Sequence, residues 1–132
     1  MTTRAIVLSL ALAALAAVAS SQPSAGFKRT ILQQMDISVP AREAVTGIAE
    51  AAPGASAGRH THPGEEVGYV LEGTLLVEIE GKPAMTLNAG QTFLIPNGAV
   101  HNATNTGTGP ARVLATYIVE KGKPLATPAG VK

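Results

Sequence analysis

Two of the chain's three histidines stand in GRHTHPGEE, residues 58–66, with a glutamate four places after the second. The third, His101, stands far downstream in PNGAVHNATN. His60 and His62 are two apart in a segment that reads as extended, and a period of two turns both imidazoles to one face. Pro63-Gly64 reads as a turn that returns Glu66 at the same level on the next strand. Pro96-Asn97-Gly98 is a second turn, after which His101 begins a strand whose residues 101, 103 and 105 share a face. Three imidazole nitrogens and a carboxylate suit a divalent first-row metal and can leave one or two positions open for water or substrate. A lone histidine is more often a satisfied surface or core residue. Here all three lie in turn-bounded segments, with H-x-H alternation and a trailing glutamate, and the pattern favours one shared site.

The elements that must position these residues read as short strands. The N-terminus is set apart first. MTTR followed by the apolar run AIVLSLALAALAAVA and the small residues of AVASS resembles a secretory signal peptide over 1–19. The run is too short for a confident membrane span, so no stable insertion is expected after cleavage, and the chain is expected in the periplasm or secreted. Residues 20–29 read as a flexible lead-in, 30–122 as one barrel domain and 123–132 as a tail with two prolines. RTILQQMDISV and REAVTGIAEAAPG read as strands; Ala and Glu in the latter allow a helix, but its V-T-G-I interior weakens one. EEVGYVLEG runs into TLLVEIEG, where Leu75, Val77 and Ile79 alternate with Leu76, Glu78 and Glu80. KPAMTLNAG, QTFLIPNGAVHNATNTG and ARVLATYIVEKG continue the series, divided by glycine turns. Many short strands without an amphipathic helix predict an all-β antiparallel sandwich or barrel.

Composition narrows the function classes. Without Arg4, basic and acidic side chains are equal at nine. A nucleic-acid partner would need a basic footprint, and none is present. With no cysteine there is neither a disulfide framework nor a thiolate ligand. RTILQQMDISV is apolar and has no evident mate in the core pattern, which predicts a two-fold homodimer in which N-terminal strands pair with or cover the partner's sheet.

The spacing of the two histidine segments is specific. Residues 54–73, GASAGRHTHPGEEVGYVLEG, resemble the first cupin motif, G-x5-H-x-H-x3-E-x6-G, at every defined position. Residues 90–105, GQTFLIPNGAVHNATN, resemble the second, G-x5-P-x-G-x2-H-x3-N, also throughout. One departure is Gln91, where the second motif commonly has aspartate; that residue is expected to support a turn rather than the site. The resemblance implies a single-domain jelly roll, the double-stranded β-helix of the cupins. It implies His60, His62, Glu66 and His101 as ligands of one divalent transition metal, with Fe or Mn favoured and Zn, Ni or Cu possible. It selects Glu66 over the adjacent Glu65. Gly54, Gly73 and Gly90 match turn glycines, Pro96 and Gly98 the turn that presents His101, and Asn105 a wall residue.

The fold itself sets no reaction. No general acid or base is assigned from sequence. A mostly apolar pocket, with Gln33, Gln34 or Arg42 as the candidate polar contributors and Arg59 and Arg112 read instead as solvated wall residues, suits a small-molecule ligand. The leading expectation is a mononuclear metalloenzyme, a dioxygenase acting on a small phenolic or enolic substrate. The alternatives are a non-catalytic periplasmic metal- or small-molecule-binding protein and a metal-assisted lyase or decarboxylase.

Overall fold

The computed structural model describes residues 21–130, so the signal segment expected over 1–19 lies outside the described residues. Every regular element among them is a strand: β1 (Phe27–Asp36), β2 (Arg42–Ala51), β3 (His60–Thr61), β4 (Gly64–Glu72), β5 (Thr74–Ile79), β6 (Met85–Asn88), β7 (Thr92–Ile95), β8 (His101–Asn105), β9 (Ala111–Glu120) and β10 (Thr127–Pro128). β1 starts at Phe27, so the last three residues of the expected lead-in are strand. The segment with helix-compatible Ala and Glu is β2, as its β-branched interior requires.

Two five-stranded antiparallel sheets result, ordered β1-β2-β9-β4-β7 and β10-β3-β8-β5-β6. Alternation decides what lies between them. Val113, Ala115, Tyr117 and Val119 of β9 are buried, as are Leu75, Val77 and Ile79 of β5, while Glu78 is exposed. Each large apolar side chain so buried contributes on the order of 1.5–3 kcal/mol.

The expectation that β1 lacks a mate is corrected. It pairs with β2 of its own chain from Phe27↔Ala51 to Asp36↔Glu43, with a bulge between Ile31 and Gln33. The extra residue changes which face the following side chains take. Apolar surface remains on the outer face of the same sheet, where Val67 lies opposite Leu94 and Tyr69 opposite Leu114; all four are exposed.

Close approach also explains one glycine. A Cβ on Gly68 of β4 would lie 2.1 Å from Phe93 Cζ. The ring therefore rests on the bare backbone, directly across the β4–β7 ladder.

Candidate metal centre

The three histidines and Glu66 meet between the sheets, and each arrives by a different local device. His60 begins the short β3 and pairs directly with His101 at the start of β8, which places the two imidazoles side by side. His62 follows two residues later on the same face, and both are buried while Thr61 is only half-buried. The turn at Pro63-Gly64 leads into β4, which carries Glu66 on its inner face, while Glu65 faces outward. Gly98 adopts a left-handed φ of 70°, open to glycine at little cost, and so lets the Pro96–Gly98 turn deliver His101.

What the rings can do follows from their far nitrogens. Nδ1 of His60 lies 2.7 Å from the Gly58 carbonyl oxygen, Nδ1 of His62 2.6 Å from that of Leu125, and Nδ1 of His101 2.9 Å from that of Ala99. A carbonyl can only accept, so each Nδ1 carries a proton and each ring turns its Nε2 inward as the candidate ligand atom. His60 Nε2 and His62 Nε2 are 3.2 Å apart, and Glu66 Oε2 lies 3.0 Å from His62 Nε2 and 3.3 Å from His101 Nε2. His101 Nε2 is buried and makes no hydrogen bond despite that approach. Crowded ring nitrogens and an orphaned one are unfavourable among themselves; a cation resolves both.

The spacing agrees. Donors bound at about 2.1 Å in neighbouring positions of a tetrahedral or octahedral shell lie roughly 3.0–3.4 Å apart. The ligand atoms of His60, His62 and His101 all fall within 4.8 Å of one another.

Electrostatics favours the same occupant. Burial, reinforced by the neighbouring His101, lowers the His60 pKa to about 4, so this ring stays neutral at physiological pH. For Glu66, burial acts to raise the pKa, but the adjoining His101 and His62 outweigh it and hold the carboxyl at about 2. His60 therefore offers a neutral imidazole and Glu66 an ionised carboxylate, the protonation states metal ligation needs.

The walls depart from expectation. Gln34 donates to Glu43 Oε2 at 2.9 Å, Gln33 to the exposed Met35 sulfur, and Arg42 reaches the Pro63 and Ile118 carbonyls. Arg59 pairs with Glu80 at 2.7 Å and Arg112 with Glu50 at 3.5 Å. None of these five lines the cavity beside His60, Glu66 and His101. Its polar wall residues are Arg29 and Tyr117, neither proposed from sequence, and Phe93 and Val77 are among its apolar ones. Tyr117 was legible, because the alternation Val113, Ala115, Tyr117, Val119 puts it on the inner face. Arg29 shares a face with Phe27 ahead of the β1 bulge, but that face is identified as inner only by the pairing of Arg29 with Ala49.

Tyr117 lies directly across the β4–β9 ladder from Glu66, and its hydroxyl accepts from Arg29 Nε at 3.1 Å. Burial, with the Glu66 charge beside it, pushes the Tyr117 pKa well above its ordinary value. It is a hydrogen-bond donor rather than a base. Asn105 is a structural pin, as expected of a wall residue: Nδ2 donates to the Ala51 and Gly109 carbonyls, and Oδ1 accepts from Gly107 N–H.

The family follows from fold and site together. Residues 47–117 match the cupin domain model, and the chain belongs to that family. Its buried three-histidine cluster is that of a metal-binding cupin and is consistent with an Mn- or Fe-dependent one. The chain is 39% identical over 66 residues to the HTH-type transcriptional regulator PuuR of Escherichia coli, a match covering 49% of this chain and 35% of the relative. It is 36% identical over 74 residues to oxalate oxidase 2 of Hordeum vulgare, covering 50% and 33%. The matched region thus spans about a third of these relatives' length. The solved structure of an oxalate oxidase in complex with the substrate analogue glycolate superimposes with a TM-score of 0.65 at 24% identity, covering 87% of this chain and 61% of that one. At that identity the likeness establishes the fold.

Proposed function

We propose that this chain is a mononuclear metal-dependent enzyme, periplasmic or secreted, in which His60, His62, Glu66 and His101 hold one iron or manganese ion that binds a small enolic or carboxylate substrate. The observation that carries this is the triple anchoring of the imidazoles: three carbonyl acceptors orient three Nε2 atoms onto one point beside an ionised carboxylate. Such an ion would polarise a coordinated substrate oxygen and, with O2 as co-substrate, give access to redox chemistry.

The chain's own residues define the rest. Glu66 contributes the negative charge that offsets the cation, and Tyr117 stays protonated beside that carboxylate. Phe93, Val77 and Val113 exclude bulk water. The cavity measures about 30 Å³. At that volume, about that of one water molecule, only the metal-bound end of a molecule fits beside the ligands, and a small acid or enol is the substrate class proposed. The small carboxylates named for the oxalate oxidase relative and the glycolate complex support that class. Oxidation and decarboxylation of a small acid are both compatible with the site.

Reconstitution of metal-free protein with Mn, Fe, Co, Ni, Cu or Zn, followed by oxygen uptake and anaerobic turnover with a panel of small acids and enols, tests the proposal. Oxygen uptake with Mn or Fe supports an oxidase or dioxygenase, and anaerobic turnover a decarboxylase or lyase. Stable metal binding without turnover would leave the non-catalytic binding protein, and failure to retain any metal would overturn the site itself.

A further inference from the structure

Arg29 is the one lysine or arginine among the described residues that lines the metal cavity. The inner phase of β1, set by the pairing Arg29↔Ala49, aims it there. Its Nε donates to Tyr117 Oη at 3.1 Å, and its guanidinium carbon lies 5.6 Å from the Phe27 ring centroid and 5.7 Å from that of Tyr117. These contacts hold the guanidinium in place while using one of its five N–H donors.

Its terminal nitrogens differ from those of the other arginines. Arg59 and Arg112 face glutamates, and Arg42 donates to carbonyls. Among the described residues no carboxylate lies within ion-pair distance of Arg29, and its only hydrogen bond is the one through Nε. A half-buried cation with its fork unengaged favours a ligand that brings a negative charge and two acceptor oxygens.

Its position adds a second argument. Outside the cavity lies a larger pocket of about 230 Å³, walled partly by Ser21, Pro23, Ala126 and Pro128. The two spaces share three wall residues, Arg29, Ala57 and His60. A ligand entering from the larger pocket meets the guanidinium where it meets His60.

We propose that Arg29 is the carboxylate-binding group of this site, selecting short-chain organic acids by receiving the carboxylate on its terminal N–H groups while another oxygen of the same molecule reaches the metal. This rests on the metal reading above and deepens it, since it assigns the substrate's charge. Arg29 is then a specificity-determining residue. Tyr117 positions it, because the phenol holds Nε and leaves the outer fork to the ligand.

The test uses Co(II)-loaded protein, its metal content first confirmed by mass spectrometry, titrated with lactate and with the neutral lactamide while the visible spectrum is followed. Arg29→Gln is expected to weaken lactate binding roughly ten- to a hundredfold, the range of a lost charge-assisted hydrogen bond. Lactamide binding, metal content and melting temperature should stay near wild type, and Arg29→Lys should recover part of the lactate affinity. Lys28, exposed and on the opposite face of β1, is the control for general electrostatics, and Lys28→Gln should leave lactate binding unchanged. Wild-type lactate affinity in Arg29→Gln overturns the proposal, and so does an equal loss in Lys28→Gln. If the wild type takes no metal, the metal reading fails separately. Calorimetric lactate binding to metal-free wild type and Arg29→Gln then decides the role of Arg29, with equal affinities counting against it.

Discussion

Removing the C-terminal tail should weaken metal binding far more than it weakens the fold. The tail lies outside the matched family domain, yet its Leu125 carbonyl accepts from His62 Nδ1 at 2.6 Å. Two residues on, β10 pairs with β3 through Thr127↔Thr61 and Pro128↔His60, and Ala129 N–H donates to the Arg59 carbonyl at 2.9 Å. β3 is otherwise held in its sheet by the single pair His60↔His101. A chain ending at Lys123 therefore loses the acceptor that orients one ligand and the strand that braces another. Loss of an outer partner of a metal-bound histidine costs about 10–100-fold in metal affinity, equivalent to about 1.4–2.7 kcal/mol. The fold loses a half-buried Leu125 at the edge of the core and a two-residue ladder, about 1–2 kcal/mol, or a few degrees in melting temperature. Competition for Mn or Zn against a fluorescent chelator measures the first quantity, and thermal circular dichroism the second. Leu125→Ala separates them, since it keeps the carbonyl and removes the packing: its melting temperature should fall while its metal affinity stays near wild type. A folded, truncated protein with undiminished metal affinity would refute the orienting role of the tail.

Other outcomes follow from the same geometry. His101→Ala should abolish most metal binding, Glu66→Gln should weaken it less because the amide oxygen can still coordinate, and Glu65→Gln should do almost nothing; metal content by mass spectrometry across the three would expose an assignment displaced by one residue. Gly68→Ala drives a Cβ into the Phe93 ring and should cost about 1–3 kcal/mol, read as a lowered urea midpoint, and an unchanged midpoint would show that the ring moves freely. The His60 pKa is about 4 when folded against 6.5 when unfolded, so below pH 6.5 the unfolded chain takes up a proton that the folded one refuses. Metal-free protein should therefore lose stability as pH falls from 6.5 to 4, by on the order of 3 kcal/mol; Glu66, held at about 2 against 4.5, adds a loss between pH 4.5 and 2. His60→Gln should flatten the upper window, and a slope that persists there would count against the assignment. Finally, the exposed Val67, Tyr69, Leu94 and Leu114 face is expected to pair two copies, giving twice the monomer mass in light scattering, with Leu94→Lys shifting the chain to monomer. A wild-type monomer at micromolar concentration would remove that expectation.

The sequence by itself determined the strand succession and the ligand-bearing segments. Both are written in local chemistry: alternation with a period of two, and glycines at positions such as Gly54, Gly73, Gly90 and Gly98 that take left-handed backbone angles. Its resemblance to the two cupin motifs also implied His60, His62, Glu66 and His101 as one ligand set and chose Glu66 over the adjacent Glu65. What only the tertiary structure decided is which distant groups complete that site. The Leu125 carbonyl is a backbone acceptor and has no side-chain signature, so nothing in KPLATPAGVK marks it as the partner of His62. Arg29 depends on the β1–β2 register, which tells inside from outside in a strand whose alternation is broken by a bulge at Ile31 and Gln33. Side-chain type sets what a residue can do. Register and long-range pairing set what it faces, and here they admit Arg29 to the metal cavity and turn Arg59 and Arg112 toward Glu80 and Glu50.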